Sequence, residues 1–225
     1  MIIYKNKNLI ISFKIEKYFF EIKDYSNYKF ITDTFLKNEL DVNNDELTIT
    51  VLAEEINTLE QYLKKKPSID DCQLIFLFLM KQLKQLEDNN VTILNYNLND
   101  IIYFKINGKY SFYFLNNKHV FSFNKNKKIL INKLFIKNDF LSPEGNNIKE
   151  IPNERMLISC AYWSLAKIIE YCLKNINKNL EDIKYTKLFW ALQRCLKENP
   201  KHRYLLFIKK IKDKYMYILQ CQWLL

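Results

Sequence analysis

Residues 9–23 (LIISFKIEKYFFEIK) alternate apolar and polar positions and are rich in Ile, Phe and Tyr, the period-two signal of a strand or hairpin. Residues 28–40 turn to helical spacing through Phe30, Ile31, Phe35 and Leu36. Asp41–Asp45 reads as a turn. Leu47–Leu52 alternates again with β-branched residues and predicts a second strand region. Ile56–Leu63 has the spacing of a short helix, broken at Pro67. Ser68 and Asp71 then form a capping-box pattern that opens a long helix running to about Asp88. Its first half is apolar nearly all round, which marks a buried helix. Asn89-Asn90 ends it. Ile101–Ile106 and Tyr110–Leu115 predict two strands joined through Asn107-Gly108, because a type I′ turn needs positive φ at both central positions. Residues 116–140 read as a long Asn/Lys-rich loop. From Glu154 onward the pattern predicts helices, with breaks near Asn175–Asn179 and Asn199–Pro200.

These elements fit one domain, of one core or two small lobes sharing an interface. The 225 residues are 48% hydrophobic, and no Pro- or Gly/Ser-rich linker divides them. Charge changes the picture more. Thirty-five basic residues against 25 acidic ones give +10. A basic balance suits a nucleic-acid or anionic partner. The basic residues are nearly all Lys, the arginines being Arg155, Arg194 and Arg203, so bidentate reading of bases is not expected. A solvated lysine surface is the plainer account. The five cysteines include no CxxC pair, and His119 and His202 are the only histidines. Structural zinc is therefore not expected, and buried thiols in a reducing compartment are. The first eleven residues are interrupted by Lys5 and Lys7, unlike a secretory signal, and Leu74–Met80 is too short to span a bilayer. The expected location is the cytoplasm, with no membrane span.

Several motifs fall in one order. Arg194-Cys195-Leu196-Lys197-Glu198-Asn199-Pro200-Lys201-His202-Arg203 resembles the late protein-kinase pattern of Cys-Leu, an acidic or amide residue, Pro and Arg. Ser142-Pro143-Glu144 resembles the Ala-Pro-Glu that closes the kinase activation segment. Trp163-Ser164-Leu165 resembles the Trp-Ser-Leu of the large buried helix. The chain thus resembles a degenerate protein kinase domain over roughly residues 45–210. The resemblance implies an α+β, protein kinase-like bilobal fold. Residues 1–57 would be a reduced, β-rich N-lobe of strands plus one helix, and 58–225 a helical C-lobe with an inserted hairpin, 101–115.

A kinase needs a glycine-rich phosphate cradle, two metal-holding groups and a catalytic carboxylate. Gly108 and Gly145 are the only glycines, and neither lies in the N-terminal strands. By register, His-Arg-Asp becomes Ile93-Leu94-Asn95, whose amide cannot act as base. The metal-holding Asn becomes Asp100, which keeps the capacity to hold a cation. Asp-Phe-Gly becomes Phe114-Leu115-Asn116, so its carboxylate is gone. The aspartate that tethers the catalytic loop becomes Ala161. Lys23 and Glu39 match the phosphate-pairing lysine and its helix partner. The resemblance also implies a structural ion pair between Glu144 and Arg203.

No catalytic residue, metal or cofactor is expected, and the implied function is a pseudokinase scaffold or allosteric partner for another protein. Asp45-Glu46-Leu47-Thr48-Ile49 and the long helix are also compatible with kinase-like cytoplasmic domains of membrane secretion assemblies. Those carry a transmembrane segment that this sequence does not show. Two alternatives stand beside the scaffold. One is an unorthodox active phosphotransferase using Asp100. The other is a basic nucleic-acid-binding module using Lys64-Lys65-Lys66 and the lysine-rich stretch 125–137. Near the end, Trp223, Leu224 and Leu225 read either as core packed on the C-lobe or as an anchor for a partner. The partner and the oligomeric state are not legible.

Overall fold

The computed structural model describes residues 1–5, 9–14, 17–23, 25, 29–31, 40–43, 47–133, 135, 137–152, 156–205, 208–210 and 217–219. The alternating N-terminal segment is a hairpin, Leu9–Lys14 (β2) with Lys17–Ile22 (β3). Ile2–Lys5 (β1) pairs on the outer side of β2. Leu40–Asn43 (β4) and Thr48–Val51 (β5) complete an antiparallel sheet of order β1-β2-β3-β5-β4. The predicted turn Asp41–Asp45 therefore begins inside a strand. The alternation of β3 decides its burial: Tyr18, Phe20 and Ile22 face the core, while Lys17 is exposed.

The helix predicted over Ile56–Leu63 begins too early. Glu55–Thr58 is a strand (β6), and the helix is only Leu59–Leu63 (α1). Thr58 separates the two by accepting the Gln61 amide at 3.3 Å, an N-cap. The long helix Ile69–Asp88 (α2) opens on the capping box, Ser68 and Asp71 bonding each other's backbone amides at 2.8 and 3.1 Å. Val91–Ile93 (β7) follows. Ile101–Ile106 (β8) and Lys109–Phe114 (β9) form the predicted hairpin, with Asn107 and Gly108 at φ 50° and 72°.

The hairpin joins β6 in a three-stranded antiparallel sheet, β6-β8-β9. Both of its faces are apolar, and each serves a different cluster. Ile101, Tyr103, Phe112 and Phe114 pack with α2 and the later helices. Ile102, Phe104, Tyr113 and Leu115 pack with Ile56 and the inner face of the five-stranded sheet. Alternation at period two thus makes the hairpin a wall between two clusters.

The segment read as a loop from 116 to 140 contains Val120–Ser122 (β10), paired antiparallel with β7. Pro143–Asn146 (α3) is a single turn capped by Ser142. Ser159–Asn175 (α4) is buried along most of its length and packs on α2. Lys187–Cys195 (α5) packs on α4 in turn. The expected helical ending does not hold. Ile208–Lys210 (β11) and Tyr217–Leu219 (β12) are paired antiparallel strands. The fold class is α+β with antiparallel sheets. Among the described residues no helix is long and apolar enough to cross a membrane, and Cys72, Cys160, Cys172 and Cys195 are buried free thiols.

Candidate functional site

Asn95, Asp100 and Phe114 all lie on buried backbone beside the hairpin. Asn95 follows β7 and is 1% exposed. Asp100 ends a 3₁₀ turn, Leu98–Asp100, and its carbonyl accepts the Leu115 amide at 2.9 Å. Asp100 and Phe114 thus sit together, because Ile101 is registered opposite Phe114. Phe114 turns its ring to the helix-side cluster, whereas the contacts of Asp100 reach the sheet-side cluster. Tyr4, from the edge strand β1, donates its hydroxyl to Asp100 across 96 residues of sequence. Burial pushes the Asp100 carboxyl up, opposed by hydrogen bonds from Tyr4 and Asn116 and by nearby Lys118. Phe20 of β3 stacks on Phe104 of β8 with centroids 5.9 Å apart and planes 9° from parallel, and Tyr113 meets Phe104 edge-on at 5.7 Å.

Two tethers fix the backbone here. Gln82, fully buried on α2, accepts the Phe114 amide at 2.8 Å and donates to the Phe114 carbonyl at 2.6 Å. The Phe114 ring meets Tyr96 edge-on at 5.2 Å. Ala161 makes no polar tether, but Ser164, one turn along the same helix, donates to the Leu94 carbonyl at 2.8 Å. Both tethers escaped the sequence reading. The available signal was the helical face Leu79-Gln82-Leu86, where an amide among leucines must find partners.

Chemically, Asp100 is a buried carboxyl already receiving two hydrogen bonds. Among the described residues, no cluster of three or more His, Cys, Asp and Glu could hold a metal ion. The side chain of Lys23 is exposed. Glu39, Trp223, Leu224 and Leu225 lie outside the described residues.

Glu144 and Arg203 meet in a two-pronged ion pair, Nη1 and Nη2 each 2.9 Å from a carboxylate oxygen. Arg203 also donates to the carbonyls of Lys197 at 2.6 Å and Glu198 at 2.8 Å, and its guanidinium lies 4.6 Å from the Trp163 ring centre. The guanidinium side chain is fully buried, while the Glu144 side chain keeps 26% of its exposure. Burial pushes the Glu144 carboxyl up, but the Arg203 hydrogen bond, a backbone amide, the Arg203 charge and Ser142 together hold it below the usual value.

Glu87 presents the opposite case. It is buried in the last turn of α2, near the negative end of the helix dipole. Burial raises its pKa above the usual 4.5, against a hydrogen bond from Tyr162. The ionised form therefore costs stability at neutral pH. That cost is absent below 4.5 and sets in as pH rises through the folded-state value. Glu87→Gln keeps an acceptor for Tyr162. It is expected to raise the melting temperature near pH 7 and to change it little near pH 4. Thermal melts at both pH values check this; equal shifts at the two would remove the charge explanation.

No protein-family model matches the chain, and no curated protein matches it.

Proposed function

We propose that the chain is a catalytically inactive, protein kinase-like protein of two lobes that works as a scaffold or allosteric partner for another protein in the cytoplasm. The observation that carries this reading is the filling of the space between the N-terminal sheet and the Asp100–Phe114 region. In a kinase, nucleotide phosphates and metal ions lie between glycine-rich strands and the catalytic-loop and Asp-Phe-Gly positions. On this reading the volume that corresponds to it would be taken up by the Phe20–Phe104 stack and the Tyr4–Asp100 hydrogen bond. Opening it would unstack buried aromatic rings and leave the Asp100 carboxyl without its tyrosine. The Glu144–Arg203 pair, which in kinases serves architecture, is also present in the chain.

Thermal melts with and without magnesium and ATP test this directly. A ligand at 100 times its dissociation constant would stabilise the fold by about 2.7 kcal/mol. The expected result is no shift. A clear rise with millimolar nucleotide would sink the proposal and favour phosphoryl transfer through Asp100.

Trp223, Leu224 and Leu225 are the proposed anchor for the protein partner, since aromatic and large apolar groups dominate binding hot spots. Deleting residues 220–225 is expected to leave the melting temperature unchanged while abolishing oligomerisation or partner capture. A lowered melting temperature would assign these residues to the core instead.

A further inference from the structure

We infer that strand β10 and its flanking segments form a docking face for the phosphate backbone of a nucleic acid, bound without regard to sequence. The reason begins with where the charge lies. Residues 101–138 contain eight lysines and no acidic residue. The other 187 residues, with 27 basic against 25 acidic side chains, are almost neutral. So nearly the whole excess charge of the chain sits in one stretch. Lys105 is the member of that stretch paired with a carboxylate, Glu54, at 3.0 Å. Lys118, Lys125, Lys127, Lys128 and Lys133 make no ion pair among the described residues.

The fold gathers these five. Asn124–Lys128 is a tight turn closed by the Asn124 amide on the Lys128 carbonyl at 2.9 Å, and it presents Lys125, Lys127 and Lys128 to solvent. Lys127 stands 4.9 Å from the Phe123 ring centre, and Lys133 stands 4.6 Å from that of Phe121. Phe121 lies on β10 and Phe123 just past its end, in a bridge to Ile129; two positions apart along extended backbone, both buried rings face the same side, roughly 7 Å apart. The two ring-seated ammonium groups therefore share a face.

Crowding of like charge is visible in the titrating groups as well. Burial first, then Lys118 and Lys133, push His119 down to about 4, and burial with Lys118 lowers Lys133. Such a face is stabilised by a polyanion that brings several charges at once. Lysines contact phosphates as point charges and read no bases. An anionic membrane is the weaker fit, because Leu130 is the one large hydrophobic residue exposed in this stretch among the described residues. This inference does not rest on the kinase-like reading.

The test is fluorescence anisotropy with a labelled duplex DNA of arbitrary sequence, about two helical turns long. Neutralising five phosphates predicts a log–log salt slope near −4.5, or roughly a 500-fold loss of affinity between 50 and 200 mM salt. Replacing Lys118, Lys125, Lys127, Lys128 and Lys133 with Gln is expected to flatten the slope and to abolish binding at 200 mM salt. A control with the same charge change at the exposed Lys17, Lys23, Lys149, Lys174 and Lys178 is expected to keep the slope. If loss of the ring contacts lowers the melting temperature, the variant at Lys118, Lys125 and Lys128 alone should cut the slope by about three. Equal losses in the patch and control variants would overturn the inference, as would no binding by the natural chain at 50 mM salt. It also fails if the patch variant loses binding to phosphatidylserine vesicles while holding the duplex.

Discussion

Phe104→Ala is expected to lower the unfolding free energy by about 3–5 kcal/mol, the range for emptying a fully packed aromatic site. Phe104 is 2% exposed, stacked on Phe20 and touched edge-on by Tyr113. Removing the ring forfeits its own burial and leaves both neighbours facing a void, because β3 and β8 are each fixed by their own ladders and cannot close together. Phe104→Leu retains most of the volume and should cost far less. Urea titration decides the matter: the midpoint should fall with the m-value unchanged. A loss below about 1 kcal/mol would mean that the space is not packed, and the case for a filled cleft would go with it. The cavity in Phe104→Ala is not expected to restore nucleotide binding. Gly108 and Gly145, the two glycines of the chain, lie outside the N-terminal strands, and a kinase-like phosphate cradle needs glycines there.

Elements fixed by local chemistry were legible in the sequence. The Asn107-Gly108 turn and the Ser68–Asp71 capping box each need only neighbouring residues, and both are where the pattern predicts them. Elements fixed by distant partners were not. Glu55–Thr58 reads as part of a helix because only its pairing with Ile102–Lys105 makes it a strand. Val120–Ser122 is too short to declare itself, and β7 supplies the hydrogen bonds that define it. The candidate site divides the same way. The closeness of Asp100 to Phe114 follows from the hairpin register, which the Asn107-Gly108 turn sets. The filling by Tyr4 and Phe20 does not, since nothing near Tyr4 in sequence points to Asp100. The sequence also hides the polar tether from Ser164 to the Leu94 carbonyl. Leu94 and Ser164 are 70 residues apart in the chain, so no local pattern announces the contact.

Glu144→Gln is expected to cost about 3 kcal/mol, the low end of the range for removing one partner of a buried ion pair. The loss falls on Arg203, whose guanidinium is fully buried and cannot turn to water. The carbonyls of Lys197 and Glu198 still accept from it, which keeps the cost from the upper end. The pH dependence distinguishes charge from shape. Glu144 has its carboxyl held below the usual 4.5, so its contribution is present above that value and is lost as pH falls through the folded-state value. The natural chain should therefore lose its advantage over Glu144→Gln in acid, where both carry a neutral side chain at this position. Arg203→Lys separates charge from geometry at neutral pH. Lysine keeps the charge but lacks the planar fork that reaches two carboxylate oxygens, two carbonyls and the Trp163 face together. It should be destabilised nearly as much as Glu144→Gln. If Arg203→Lys melts with the natural chain, or if the Glu144→Gln deficit persists unchanged in acid, the pair does not hold the late segment in the way its geometry implies.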